Sequence, residues 1–360
     1  MADDYESSNL FEQQEANRRR TRWLVFAFVA FFAWLGFGGD WILYELTRGA
    51  PPNAYRHAFP WFGIVLTTFS ALIATYAWKT GPNKVLWSTG AREIETPAGD
   101  TETRLVNVVE EMAIASGLPR PRIWIIPDAD PNAFATGLDS EHAHIAVTEG
   151  LIQTCSRDEL QAVIAHEMGH VKNLDVRLMT LLAALVGAVA LMSDGMTRLL
   201  RGGARFGSFG GGRSRGKRDN LGPLVLVLLA LWILSWLIAP LVTRLLALGV
   251  SRKREFLADA MSAQFTRNPL ALASALEKIE HADAPTTSIK RGSAHLCIAD
   301  PLGRKSSLRE GKLADLFGTH PPMALRVARL KAMGYQERKR EAGSGKREPG
   351  NGPREALAES

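Results

Sequence analysis

His166-Glu167-Met168-Gly169-His170 sets two imidazoles four residues apart with a carboxylate between them. On a helix, positions i and i+4 stand one turn above each other, so both rings can reach one tetrahedral ion. The glutamate then projects beside that ion, where it can take a proton from a bound water. The chemistry such a set performs is hydrolysis with water as the nucleophile. The plainer alternative is a pair of helix histidines that only pack or hydrogen-bond. The flanking sequence favours the helix. Ser156-Arg157-Asp158-Glu159 has the form of a capping box, and Leu160, Val163, Ile164, Val171 and Leu174 supply an apolar face.

A hydrolytic zinc needs a third protein ligand and one open position. Ser251 to Ala260 opens a predicted helix in which Glu255 and Asp259 lie four apart and face the same way. One can ligate the metal while the other orients a ligand histidine from behind. Spacing alone does not say which, and a charged face turned to solvent fits it equally well. His142 and His144 lie two apart in a predicted strand and so share a face. They could form a zinc pair, but hydrogen-bonded or solvent-facing side chains are the better reading. Two imidazoles, one carboxylate and an open position suit zinc over copper or iron. Cys155 and Cys297 are the only cysteines, so two separate packed thiols are expected in place of a disulfide framework.

These residues must be positioned by a chain of 360 that alternates long apolar blocks with charged stretches. A net charge of +6 could suggest nucleic acid. The basic residues instead flank the apolar blocks, as in a membrane protein holding its cationic loops in the cytoplasm, and no nucleic-acid partner is expected. Residues 1–22 are polar and end in Arg18-Arg19-Arg20-Thr21-Arg22, a cytoplasmic N-terminal segment. Trp23 to about Leu43 is long enough to cross a bilayer and too long for a signal peptide, so it reads as an uncleaved anchor. A second block, about Phe59 to Trp78, completes a transmembrane pair over 23–78, with Pro51-Pro52 in an external link. The chain then returns to the cytoplasm for a domain over 79–335.

Within that domain Leu105 to Ser116 has helical periodicity and ends near Gly117, while Arg122 to Pro127 and Ala143 to Thr148 read as strands. An extended substrate could pair with a strand edge near Ala143 to Thr148. The apolar segment 178–192 is short for a span, whereas 221–243 is long enough, and a Gly/Arg-rich linker, 194–220, joins them. Both must cross or neither, because the histidines and Glu255 have to share one site. The basic linker favours a shallow hairpin that crosses nowhere. The charged tail, 336–360, reads as disordered.

Taken together, the residues resemble the HtpX-type integral-membrane zinc metalloproteases, gluzincins related more distantly to the CAAX prenyl protease. Four segments in order carry the likeness. They are Pro131 to Gly137 followed by Ile145 to Leu151, His166 to His170, Ser251 to Asp259, and Thr319-His320-Pro321-Pro322 with Arg326. The long linker and charged tail depart from many relatives. The resemblance implies a mainly α fold with a small β-sheet, two N-terminal transmembrane helices and a further hydrophobic helix pair. It implies one zinc per chain with Glu255 as third ligand, Asp259 behind the site, His320 stabilising the oxyanion and Arg326 bracing through a carboxylate. It further implies protein or peptide substrates, membrane proteins among them, in quality control and the stress response. The lipid bilayer is the other partner, and the place is the bacterial-type inner membrane, with the catalytic domain in the cytoplasm. A catalytically silent zinc-binding scaffold and a protease of lipidated C-terminal peptides are the alternatives. The intact Glu167 argues against the scaffold.

Overall fold

The computed structural model describes residues 10–185, 252–282, 286, 288, 289, 296–299 and 321–344. Two long helices open the chain, α1 (Leu10–Thr47) and α2 (Trp61–Ser88), both long and apolar enough to cross a membrane. They pack as a hairpin through small residues. A Cβ on Gly36 would lie 2.7 Å from the Gly63 Cα, so the backbones approach more closely than any side chain there allows.

The N-terminus of α2 has no side-chain cap of its own. Asp40 reaches across from α1 to supply one. Its carboxylate accepts from the N–H groups of Phe62 (3.2 Å) and Gly63 (2.6 Å), and lies 2.8 Å from Nε2 of the buried His57. An apolar surrounding gives those donors no substitute acceptor. Asp40→Ala should therefore destabilise the hairpin by about 1–3 kcal/mol for each N–H left unpaired. Thermal unfolding in detergent reads this out, and an unchanged melting temperature would contradict it.

Both helices run further than hydropathy indicates. α1 begins at Leu10 and carries the arginine run on its side; α2 continues past Lys79 and Pro82 to Ser88. The extensions are polar or mixed, so no apolar block marks them, but they are what meets the rest of the protein. Gln14 Nε2 donates to Lys172 O (2.7 Å), and Val85 and Leu86 pack under the sheet.

After β1 (Arg92–Glu93) comes α3 (Gly99–Ser116). It stops where Gly117 takes a left-handed φ of 69° and the N–H of Leu118 returns to Ala113 O, a Schellman close. Strands β2 (Arg122–Ile126), β3 (Ala133–Gly137) and β4 (Ala143–Thr148) complete a mixed sheet in the order β1-β2-β4-β3. β2 and β4 run parallel, the outer pairs antiparallel. One face packs on α3 and the helices that follow; the other packs on the end of α2 and on helical residues 175–185.

This order corrects the expected substrate edge. Ala143–Thr148 lies between β2 and β3, with both edges paired, so it can receive no further strand. The edge strands are β1 and β3, and β3 is the one that lies against the helix carrying His166 and Glu167. Ile298 N donates to Ala133 O (2.9 Å) and Gly137 N to Thr180 Oγ1 (3.2 Å), which leaves Ala135 as the outward-facing residue between them.

His142 and His144 do not make a pair. His142 precedes β4, exposed beside Asp139, while His144 is buried with Nδ1 accepting from Trp124 Nε1 (3.0 Å). Burial pushes His144 down to about 4, with the charges of Arg122 and His142 adding to it. Its folded value thus lies below the ordinary 6.5. The unfolded chain binds the proton more readily in that window, so the contribution is whole above pH 6.5 and lost as pH falls toward 4, at most about 3 kcal/mol. The melting temperature of His144→Gln should fall less than that of the parent between pH 7 and 4. Parallel curves would contradict the assignment.

Short helix α4 (Glu149–Thr154) leads to α5 (Arg157–Lys172), and α6 (Arg252–Thr266), α7 (Pro269–Glu280) and α8 (Met323–Ser344) follow. The tail expected to be disordered from residue 336 is helical to Ser344, because Gln, Glu, Arg and Lys are all good helix formers. Cys155 and Cys297 are buried and not joined in a disulfide. Residues 186–192 of the segment 178–192, and all of 194–220, 221–243 and His320, lie outside the described residues.

Candidate metal centre

Helix α5 carries the first two donors and is fixed at its start. Ser156 and Glu159 form the reciprocal capping box, and Glu159 is held in turn by Ser274 and Lys278 of α7. Leu160, Val163, Ile164 and Val171 are buried, which turns His166 and Glu167 into the interior. The helix ends at Lys172, so Leu174 lies past it, in a left-handed turn at φ 58°. That turn starts the next helical segment at once and brings Asp175 beside His170.

Helix α6 brings the carboxylates. It can come close because of Gly169, where a Cβ would sit 3.3 Å from the Ala258 Cα. Ser262 Oγ donates to Ala162 O (2.7 Å) on the same side. Glu255 Oε2 is then 3.8 Å from His166 Nε2, Glu255 Oε1 is 3.7 Å from His170 Nε2, and the two Nε2 atoms are 3.2 Å apart. A tetrahedral zinc with bonds near 2.05 Å holds its ligand atoms about 3.3 Å from one another. The described residues contain one group of this kind, and its donor set fits the ion.

The outward nitrogen of each ring faces a carboxylate. His166 Nδ1 is 3.0 Å from Asp259 Oδ1, and His170 Nδ1 is 3.3 Å from Asp175 Oδ2. Arg326, buried in α8, grips Asp259 with two bonds (Nε to Oδ2, 2.9 Å; Nη2 to Oδ1, 2.7 Å). It donates further to Ile298 O (3.0 Å) and lies 3.3 Å from Glu255 Oε2. Burial opposes the charge on both partners, but the pairing outweighs it. Asp259 is held below its usual range and Arg326 above.

Both carboxylate oxygens of Glu167 are buried without an aligned hydrogen-bond partner. Burial pushes this acid up to about 7; His170, the Ala135 N–H and Arg326 pull against that while Glu255 adds to it. Burial brings His166 down to about 4 against the pull of Asp259. For His170 burial also acts downward, but Asp175, Glu255 and Glu167 together raise it to about 9. A cleft opens here, lined by Ala135, Glu167, His170, Val176, Met179 and Leu296.

The profile of peptidase family M48 matches residues 100–334, the stretch that contains all of these groups. The chain belongs to family M48. A "Protease HtpX homolog" of Caldanaerobacter subterraneus subsp. tengcongensis is 37% identical over 332 residues, covering 90% of this chain and 98% of that one. Another from Lactiplantibacillus plantarum is 38% identical over 326 residues, covering 90% of this chain and all of the relative. The crystal structure of S. mikatae Ste24p aligns at 20% identity with a TM-score of 0.42, over 86% of this chain and 66% of that one. As a member of M48 the chain is a protease, with protein or peptide substrates. A peptidase of this family needs a metal, and the His166, His170 and Glu255 cluster is where the described residues can hold one.

Two positions escape a reading by motif. Asp175 is one, although a ligand histidine nearly always hands its second nitrogen to a carboxylate, a backbone carbonyl or a water, and the acid five residues after His170 was the signal to look for. Gly169 is the other. Inside the motif it is a variable position, and only the approach of α6 shows what it permits.

Proposed function

We propose that the chain is a membrane-bound zinc endopeptidase in which His166, His170 and Glu255 hold the ion and Glu167 is the general base. The observation that carries this reading is the convergence of the three donors beside a buried carboxylate whose oxygens have no aligned partner in the protein. When bound, zinc supplies a Lewis acid that brings a water toward ionisation at neutral pH and polarises the scissile carbonyl. Glu167 accepts the proton as the water attacks, then delivers it to the leaving amine. A carboxyl that burial pushes upward holds the proton more readily between the two steps. Asp259 and Asp175 hold the two imidazoles from behind, and Arg326 fixes Asp259. His320 is assigned to the oxyanion on the sequence resemblance alone. The peptide lies along the outer edge of β3, where the Ala135 backbone can bond it with little demand on its side chains.

The arrangement of the two long helices supports a cytoplasmic site. The start of α1, with the arginine run, and the end of α2 both meet the catalytic domain, so the domain and the basic cluster share one side. Basic flanks stay inside. An inner-membrane protease with its site in the cytoplasm is placed to degrade membrane proteins in quality control.

The test is cleavage of a panel of membrane proteins by full-length enzyme in detergent, with chelator added and zinc then restored. Cleavage that stops and returns supports the reading. Cleavage indifferent to chelator, or none of any panel member, overturns it.

A further inference from the structure

The extension of α1 below its apolar block ends in the metal centre. Asn17 is 4% exposed, and its Nδ2 donates to Asn173 O (3.0 Å) and to Asp175 Oδ1 (2.7 Å). Both neighbours are acceptors only, so the amide must present its NH2 group, and the two N–H bonds of that group are both used. The other oxygen of Asp175 is the one 3.3 Å from His170 Nδ1. Arg254 Nη1 also faces Asp175, but at 3.6 Å it offers charge without a directed bond. Asp175 sits just after the left-handed Leu174, at a point where α5 has ended and its last carbonyls need donors. Asn17 therefore fixes, in one contact, the end of the α5 helix and the acid that faces His170.

We propose that Asn17 is a positioning residue for the metal centre. It holds Asp175 against His170 and so ties retention of the metal to the seating of the first membrane helix. This rests on the reading of His170 as a ligand. The consequence is that the site is complete only while the Asn17 amide is seated on Asp175, and a change that withdraws that amide loosens the ion. Gln14 offers the internal comparison. It docks the same helix to the same end of α5, through Lys172 O, without touching Asp175.

The experiment loads full-length protein in detergent with one equivalent of zinc and times its release into the chromogenic chelator 4-(2-pyridylazo)resorcinol. Groups that orient a ligand histidine are worth about 10–100-fold in metal affinity. Asn17→Ala should release zinc about tenfold faster than the parent, at the low end of that range because it acts one residue further out. Asn17→Asp should be faster still, since an isosteric carboxylate then faces Asp175 with no N–H to give. Gln14→Ala should stay within about twofold of the parent. In an Asp175→Asn background, Asn17→Ala should add less than about twofold, because the group it acts through is already changed.

Release from Asn17→Ala at the parent rate overturns the proposal. So does Gln14→Ala matching Asn17→Ala, which would make helix docking the whole effect. An undiminished Asn17→Ala effect in the Asp175→Asn background does the same. A parent protein that never retains zinc overturns the metal site itself and this inference with it. Zinc held equally by parent and Asn17→Ala overturns the inference alone.

Discussion

Glu167→Gln should keep zinc at the parent stoichiometry and lower peptide cleavage by about 10²–10⁴-fold. Gln has the shape of Glu, and Glu167 is not among the three converging donors, so the ion loses nothing it is held by. What is lost is the capacity to accept a proton. The setting makes Glu167 suited to that and to little else. It is buried, its oxygens meet no aligned donor, and burial raises it to about 7. A carboxylate kept there for stability would be bonded on both oxygens. Zinc content by elemental analysis and kcat on a fluorogenic peptide should be measured on the same preparation. Parent-like turnover sinks the general-base assignment. Loss of zinc would instead place Glu167 among the ligands.

Arg326→Met should be the most destabilising single change near the site. Arg326 is fully buried, makes both of its bidentate bonds to Asp259, and stands 3.3 Å from Glu255. Removing it leaves two buried carboxylates without their shared cation. Breaking a buried ion pair from one side costs about 3–5 kcal/mol. Zinc binding should weaken as well, because Asp259 would no longer be held against His166 Nδ1. Arg326→Lys should not restore either property, since an ammonium cannot reproduce the two parallel bonds of a guanidinium. Thermal unfolding in detergent, with and without zinc, measures both effects. A melting temperature unchanged from the parent would show that Arg326 is not the keystone its contacts imply.

How much of this was legible beforehand depended on whether a feature was local. Helix α5 was readable to the residue at its start, because a capping box and a 3.6-residue apolar period act within one segment. The end of α3 at Gly117 and the strands β2 and β4 were readable too, but α3 starts at Gly99, ahead of the expected Leu105. The sheet order was not readable. Ala143–Thr148 alternates and looks like any edge strand, and it becomes central only because β2 and β3 pair on either side. The edge proposed for substrate passed to β3 for that reason. Hydropathy likewise marked where the long helices are apolar but not where they end. The polar start of α1 is what carries Gln14 and Asn17 to α5.

At the site itself, spacing left Glu255 and Asp259 equivalent, since i and i+4 share a face. Their roles separate through partners from elsewhere in the chain. The close approach at Gly169 sets Glu255 opposite both Nε2 atoms, while Arg326 draws Asp259 to the far side of His166. Asp175 depends on a left-handed leucine that no propensity scale anticipates. These are contacts between segments distant in sequence, and a motif cannot contain them.

The central claim is that one metal, held by His166, His170 and Glu255, makes this protein an enzyme. It is tested by stripping the full-length protein with chelator, returning zinc in fractions of an equivalent, and following cleavage of a fluorogenic peptide. Activity should be absent at the start, rise linearly, and level off at one zinc per chain, with Glu255→Ala flat throughout. Full activity in the stripped protein, or an equal recovery by Glu255→Ala, would contradict it.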